Sequence, residues 1–196
     1  MLGNEKLKTP FGMRRLEAWP ILDEPANAHP VYGDPYSLGA SVKGLLTVNS
    51  NKGEIYGDDV CQYSVDVFAG AQFDTETTLS DLEKNAKLFG HTWAENDGEE
   101  SRTTDDAPLH GLSCVEPVFC GNKTVYRATI FRRAKAMASS EKQDAETRKK
   151  GEFAPKNNLV SFDLSADNLN SWRVRNDFET EAAAEAFIKK TFGAAT

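Results

Sequence analysis

Val60-Cys61-Gln62-Tyr63-Ser64-Val65-Asp66-Val67-Phe68-Ala69 decides the fold class. Cys61, Tyr63, Val65, Val67 and Ala69 fall on one side of an extended chain, and Gln62, Ser64 and Asp66 on the other. A period of two is the mark of a β-strand with one apolar face, so the stretch predicts a half-buried strand. Upstream, Val42, Leu46 and Val48 share a face in a second strand. Asn49 to Gly53 reads as the turn between them, because Asn51-Lys52-Gly53 offers a residue able to take positive φ.

The same reading extends outward. Met13 to Trp19 predicts a strand stopped by Pro20, and residues 23 to 39, with Pro25, Pro30, Gly33, Pro35 and Gly39, predict irregular chain. Leu79, Leu82, Ala86 and Phe89 recur at helical spacing, with Thr78 as N-cap and Gly90 as stop. His91 to Asp106 is an acidic hairpin or loop with a turn at Asp97-Gly98. Leu112 to Cys120 and Thr124 to Ala138 are strands joined at Gly121-Asn122-Lys123. Residues 139 to 158 lose all apolar period and read as a long polar loop. Val160, Phe162, Leu164 and Ala166 restore alternation, followed by a turn at Asp167 to Asn170, a strand over Ser171 to Arg175, and a helix over Glu181 to Phe192 capped by Thr180 and ended by Gly193.

These elements predict a β-rich α+β domain: two packed antiparallel β-sheets, as a sandwich or partly open barrel, with flanking short helices. The expected organisation is a flexible N-terminal arm over residues 1–12 and one domain over 13–196. The 196 residues carry 39% hydrophobic and 27% charged side chains, enough to bury a core. No run reaches the roughly 18 apolar residues of a membrane span, and Met1 to Pro10 lacks the apolar region of a signal peptide. Lys+Arg 23 against Asp+Glu 30 leaves a net charge of -7, which argues against wrapping nucleic acid.

Chemistry-bearing motifs are missing: the sequence has no phosphate-binding GxxxxGK[ST], no GxGxxG, no HExxH and no GxSxG. Neither catalysis nor a cofactor is expected. Cys114, Cys120, His110 and His91 are zinc-type ligands near one another in sequence. If one strand carries both thiols, however, six residues at ~3.3 Å each hold them about 20 Å apart; buried apolar thiols are the expectation, and no metal set is assigned. The acidic run does not match a calcium-loop spacing. Arg148, Lys149 and Lys150 form a basic cluster opposite in sign to Glu99, Glu100, Asp105 and Asp106. The expectation is that these two groups meet between copies of the chain.

The order of certain short segments carries a resemblance. Pro30-Val31-Tyr32-Gly33-Asp34-Pro35 precedes Leu38-Gly39-Ala40; Glu54-Ile55-Tyr56-Gly57-Asp58-Asp59 precedes the alternating strand; Phe73 to Gly90 carries Leu79 and Leu82 and closes on Leu88-Phe89-Gly90; then come Asp97-Gly98 and Gly121-Asn122 before Val125-Tyr126-Arg127. In that order, over about residues 30 to 192, the chain resembles the major tail tube proteins of long, non-contractile-tailed bacteriophages. The resemblance implies a viral structural subunit that self-assembles into stacked hexameric rings. Their hollow lumen conducts DNA without binding it specifically. It implies tail-terminator, tape-measure and baseplate proteins as partners, assembly in the host cytoplasm and residence in the virion tail. The alternatives are a tube component of a related secretion or syringe system, a small β-barrel ligand-binding module, and a DNA-binding accessory protein.

Overall fold

The computed structural model describes residues 8–57, 60–78, 81–141 and 157–193. In chain order the strands are β1 (Lys8–Pro10), β2 (Arg14–Asp23), β3 (Val31–Tyr32), β4 (Tyr36–Ser37), β5 (Ser41–Gly57), β6 (Val60–Thr77), β7 (Thr92–Ala94), β8 (Gly98–Glu100), β9 (Leu109–Cys120), β10 (Lys123–Ala136), β11 (Asn158–Ser165) and β12 (Arg173–Phe178). Helix α1 (Leu82–Phe89) lies between β6 and β7, and α2 (Glu181–Phe192) follows β12.

Ten strands make one antiparallel sheet in the order β3-β2-β9-β10-β11-β6-β5; β7 and β8 make a second, two-stranded one. The remaining strands continue the same rows. β1 meets the far end of β9, pairing Lys8 with Cys120, while β2 meets its near end. β12 and β11 succeed each other along β10, at Tyr126 to Phe131 and Arg133 to Ala136. The sheet does not close into a barrel, and β3 and β5 end its path. It curls nevertheless: a side chain at Gly44 on β5 would run into Met13, just ahead of β2, at 2.8 Å.

Both faces of the sheet are buried at its central strands β2, β9 and β10. Leu16, Leu112, Phe131, Phe162 and Leu164 form one core with Leu88 and Phe89 of α1. Trp19, Val115, Ala128 and Ile130 form the other, covered by Ala184, Ile188 and Phe192 of α2. Trp19 stacks on Phe192 at 4.5 Å and donates its indole N–H to Ser113 Oγ at 3.0 Å. Such an aromatic pair adds about 0.5–1.5 kcal/mol beyond its area.

Several expected boundaries move, each for a local reason. No turn occurs at Asn49 to Gly53: β5 runs on to Gly57, with a bulge at Asn49/Ser50, and the reversal falls between Gly57 and Val60. Pro20 does not stop β2, because the strand changes partner there, from β9 at Pro20 to β3 at Ile21. Residues 23 to 39 contain the two short strands β3 and β4. Helix α1 begins at Leu82, where the Asp81 carboxylate accepts the N–H groups of Glu83 and Lys84; Thr78 is held back by donating its N–H to Ala40 O. Leu79 lies outside the described residues. In β10 the apolar period breaks after Phe131 because a bulge at Arg132-Arg133 reverses parity. Ala128 and Ile130 face the α2 side, and Ala134 and Ala136, also even-numbered, face the other.

At the expected arm, residues 8–10 are strand β1. Phe11 stacks on Phe119 at 4.2 Å, and Lys8 reaches Asp177 at 2.8 Å. Residues 1–7 and most of the expected polar loop, 142–156, lie outside the described residues. The turn at Gly121-Asn122, the Thr180 cap and the Gly193 stop are as expected, with Gly193 at φ 78.

Candidate assembly interface

The β5–β6 hairpin is the longest strand pair of the sheet. β11 pairs with β6 only from Ala71 to Thr77. Beyond that, Val60 to Gly70 pairs with β5 alone. At ~3.3 Å per residue this leaves a two-stranded ribbon roughly 35 Å long standing out of the sheet.

The ribbon keeps the alternation of its sequence. Ile55 sits opposite Tyr63, Gly53 opposite Val65, and Asn51 opposite Val67, so the apolar side chains share one face. Lys52, Glu54, Gln62, Ser64 and Asp66 take the other. Among the described residues the expected half-burial holds only for Val65: Ile55 is 62% exposed, Tyr63 60% and Val67 55%. The expectation fails because alternation reports an apolar face, not what covers it. Val42, Leu45 and Val48, nearer the root, are also about half exposed. β5 is in addition a 17-residue edge strand. A long, apolar edge of this kind is a template for pairing with another chain unless something covers it.

A cleft of about 470 Å³ opens at the root of the ribbon, floored by Met13, Leu46, Phe73 and Phe131 and walled by Arg173 and Arg175 of β12. Arg173 lies over the Trp172 ring at 4.3 Å. Burial, and then the neighbouring Arg175, lower its pKa. Beside it, Arg127 grips Asp177 through two N–H groups at 2.7 and 3.1 Å, and Lys8 adds a third contact. These hydrogen bonds, Arg127 first, pull the Asp177 carboxyl down to about 2.

The residues expected to join copies by charge are largely engaged within the chain. Glu100 holds Arg102 at 3.0 Å, Asp105 accepts the Arg102 backbone N–H at 2.7 Å, and Asp106 holds Lys135 at 2.6 Å. Glu99 hydrogen-bonds His91 at 2.7 Å. Arg148, Lys149 and Lys150 lie outside the described residues.

The cysteine and histidine candidates separate. Cys114 and Cys120 share the unbroken strand β9, through Pro117. Burial pushes the Cys114 thiol far above its usual range, which makes it inert. His110 is 1% exposed and structural. Its Nδ1–H donates to Pro108 O at 3.0 Å, leaving Nε2 to accept the Tyr36 hydroxyl at 2.8 Å. Burial pushes this imidazole down to about 4. His91 stands beside carboxylates, Glu99 and Glu141, which its sequence proximity to the cysteines does not signal. Glu99 lies eight residues on, across the β7–β8 turn, a separation that a hairpin reading could have brought together.

No protein-family model matches the chain, and no curated protein matches it.

Proposed function

We propose that the chain is a structural subunit of a phage-tail-type tube, assembling with copies of itself through the β5–β6 ribbon. One observation carries this reading: an apolar ribbon face, with Ile55 and Val67 more than half exposed, on the long open edge of a sheet. A second copy is the occupant that fits. Among the described residues β5 is the last strand of the sheet, and another copy supplies a complementary strand edge and the same apolar residues to bury. A contact between two different patches repeats head to tail, and rotation closes it into a ring. Stacked hexameric rings, a DNA-conducting lumen, the tail-terminator, tape-measure and baseplate partners and a place in the virion tail follow from the resemblance.

The tail-tube-like packing of two sheets belongs to the same proposal. Its support is the curl that sets Met13 against Gly44, although their strands lie near opposite ends of the sheet. An acidic subunit of net charge -7 suits a conduit that must not hold phosphate.

The test is negative-stain electron microscopy with light scattering at rising concentration, on the wild type and on an Ile55→Lys/Val67→Lys variant. Rings or tubes from the wild type and monomers from the variant are expected. A wild type that stays monomeric, or a variant that assembles equally well, overturns the reading. The cleft favours the ligand-binding module as second reading, since its volume suits a small ligand and Arg173 and Arg175 suit an anionic one. Saturable binding of a small carboxylate or phosphate, lost in Arg173→Gln, by a strictly monomeric wild type would favour it.

A further inference from the structure

We propose that His91, Glu99 and Glu141 form a binding site for one divalent metal ion of the zinc class. The three come from separate pieces of chain. His91 follows the Gly90 cap of α1, Glu99 is on β8, and Glu141 follows the 3-10 turn Ala138–Ser140 after β10. One ligand atom from each lies within 4.8 Å of the other two. Donors around a tetrahedral zinc ion with bonds of about 2.1 Å stand roughly 3.4 Å apart. Small rotations of the two carboxylates therefore bring all three groups onto one centre.

The imidazole is already positioned. Its side chain is 8% exposed, and its ring stacks on Phe89 with centroids 5.9 Å apart. Nδ1 lies 2.7 Å from Glu99 Oε1 and 3.1 Å from Ser101 Oγ. Nε2 faces Glu141 Oε2 at 3.8 Å, beyond hydrogen-bonding distance, and has no other partner among the described residues. In the free chain a proton on Nδ1 lies between the imidazole and Glu99; a divalent cation that displaces it meets His91, Glu99 and Glu141 as donors. The Asn85 amide steadies Glu141 at 3.3 Å.

The charge balance agrees. Neither carboxylate has a lysine or arginine partner among the described residues, whereas Glu100 and Asp106 nearby each have one. Mixed imidazole and carboxylate donors suit zinc, nickel and manganese better than calcium, which prefers six or more oxygens. Bound there, the ion ties the end of α1 and the β7–β8 hairpin to the chain leaving β10.

The experiment is calorimetric titration of chelator-stripped full-length protein with Zn2+, with Co2+ absorption as the spectroscopic readout. One equivalent should bind, with cobalt bands that lack thiolate charge transfer, and amide exchange should slow over residues 92–100. Glu141→Gln and His91→Gln should each weaken binding tenfold or more, with circular dichroism unchanged. Glu141 is partly exposed, so its variant remains informative if His91→Gln fails to fold. Absence of saturable binding, equal binding by Glu141→Gln, or a thiolate band each overturns the proposal; the first result also arises if a proton on His91 is the only counter-charge.

Discussion

Lowering the pH from 7.5 to 4 should cost this protein about 3 kcal/mol through His110 alone. The imidazole is sealed between β9 and β4, neutral, with both ring nitrogens satisfied. Its folded pKa is pushed down to about 4 from 6.5, chiefly by burial. Below 6.5 the unfolded chain takes up a proton that the folded chain refuses. Stability is therefore fully present above 6.5 and falls with pH until about 4. At about 1.36 kcal/mol per unit, less the part recovered as the folded group begins to protonate, the loss at pH 4 is about 3 kcal/mol.

Other groups leave this window readable. Asp74, Asp167 and Asp177 have lowered folded pKa values, so their contributions are lost below 3.8; exposed Glu100, lowered by its hydrogen bond with Arg102, adds a small loss beginning below 4.5. Burial raises Glu17 above 4.5, which works in the opposite sense and stabilises slightly as pH falls. The assay is urea unfolding at half-unit steps from pH 7.5 to 4. A loss of 3 kcal/mol moves the midpoint by roughly 1.5 M at a slope of about 2 kcal/mol/M. His110→Gln should lower stability at pH 7.5 and flatten the slope between 6.5 and 4. A slope unchanged in His110→Gln, or a His110 ring proton that titrates near 6.5 in the folded state by NMR, would refute the reasoning.

Four further outcomes are expected. Asp177→Asn should cost about 1 kcal/mol at pH 7, as a partly exposed pair does, and should remove the part of acid unfolding between pH 3.8 and about 2, read by circular dichroism. Gly111→Ala should cost about 1–3 kcal/mol by overpacking, since the new methyl would strike Phe192 of α2 and Tyr32, the latter at 2.7 Å; the urea midpoint measures it. Ile55→Lys/Val67→Lys should leave the monomer within about 0.5 kcal/mol of wild type while blocking assembly, because those side chains are exposed in the single chain. Alkaline unfolding should begin near pH 9–10, where unfolded cysteine and tyrosine ionise. Buried Cys114 and half-buried Tyr32 and Tyr36 all have raised pKa values, Tyr32 to about 12, so their stability is present below that range and lost above it.

Elements with a complete local signal were legible in the sequence. Helix α2 carries an N-cap, an apolar stripe and a glycine stop, and it folds as read. The β9–β10 hairpin had alternation and a Gly-Asn turn, and it too folds as read. Misreadings occurred where tertiary pairing outweighed a local preference. Asn51-Lys52-Gly53 favours a turn by a small margin, and continuous pairing along β6 overrides it. Past Phe131 the apolar alternation of the sequence is lost, although the strand itself continues. The bulge lets β10 continue with reversed parity, and Arg132 is buried with its guanidinium donating to Thr191 O near the carbonyl end of α2. No period-two reading can follow a strand through such a step.

The candidate site was legible only in composition. Val60 to Ala69 has the cleanest strand pattern in the chain, yet Tyr63 and Val67 on its apolar face are more than half exposed. Alternation is written by whatever covers the face in the working state, whether or not that cover belongs to the same chain. Core strands β9 and β11 show how the pattern looks when the cover is internal: Val160, Phe162 and Leu164 are each 5% exposed or less. In the ribbon an equally regular pattern leaves Ile55 and Val67 more than half exposed. A monomer gains nothing from sorting apolar and polar residues so strictly on a two-stranded ribbon that barely stabilises itself. The sorting makes physical sense if a second protein surface completes the burial, and the open edge of β5 offers the backbone pairing to align that surface.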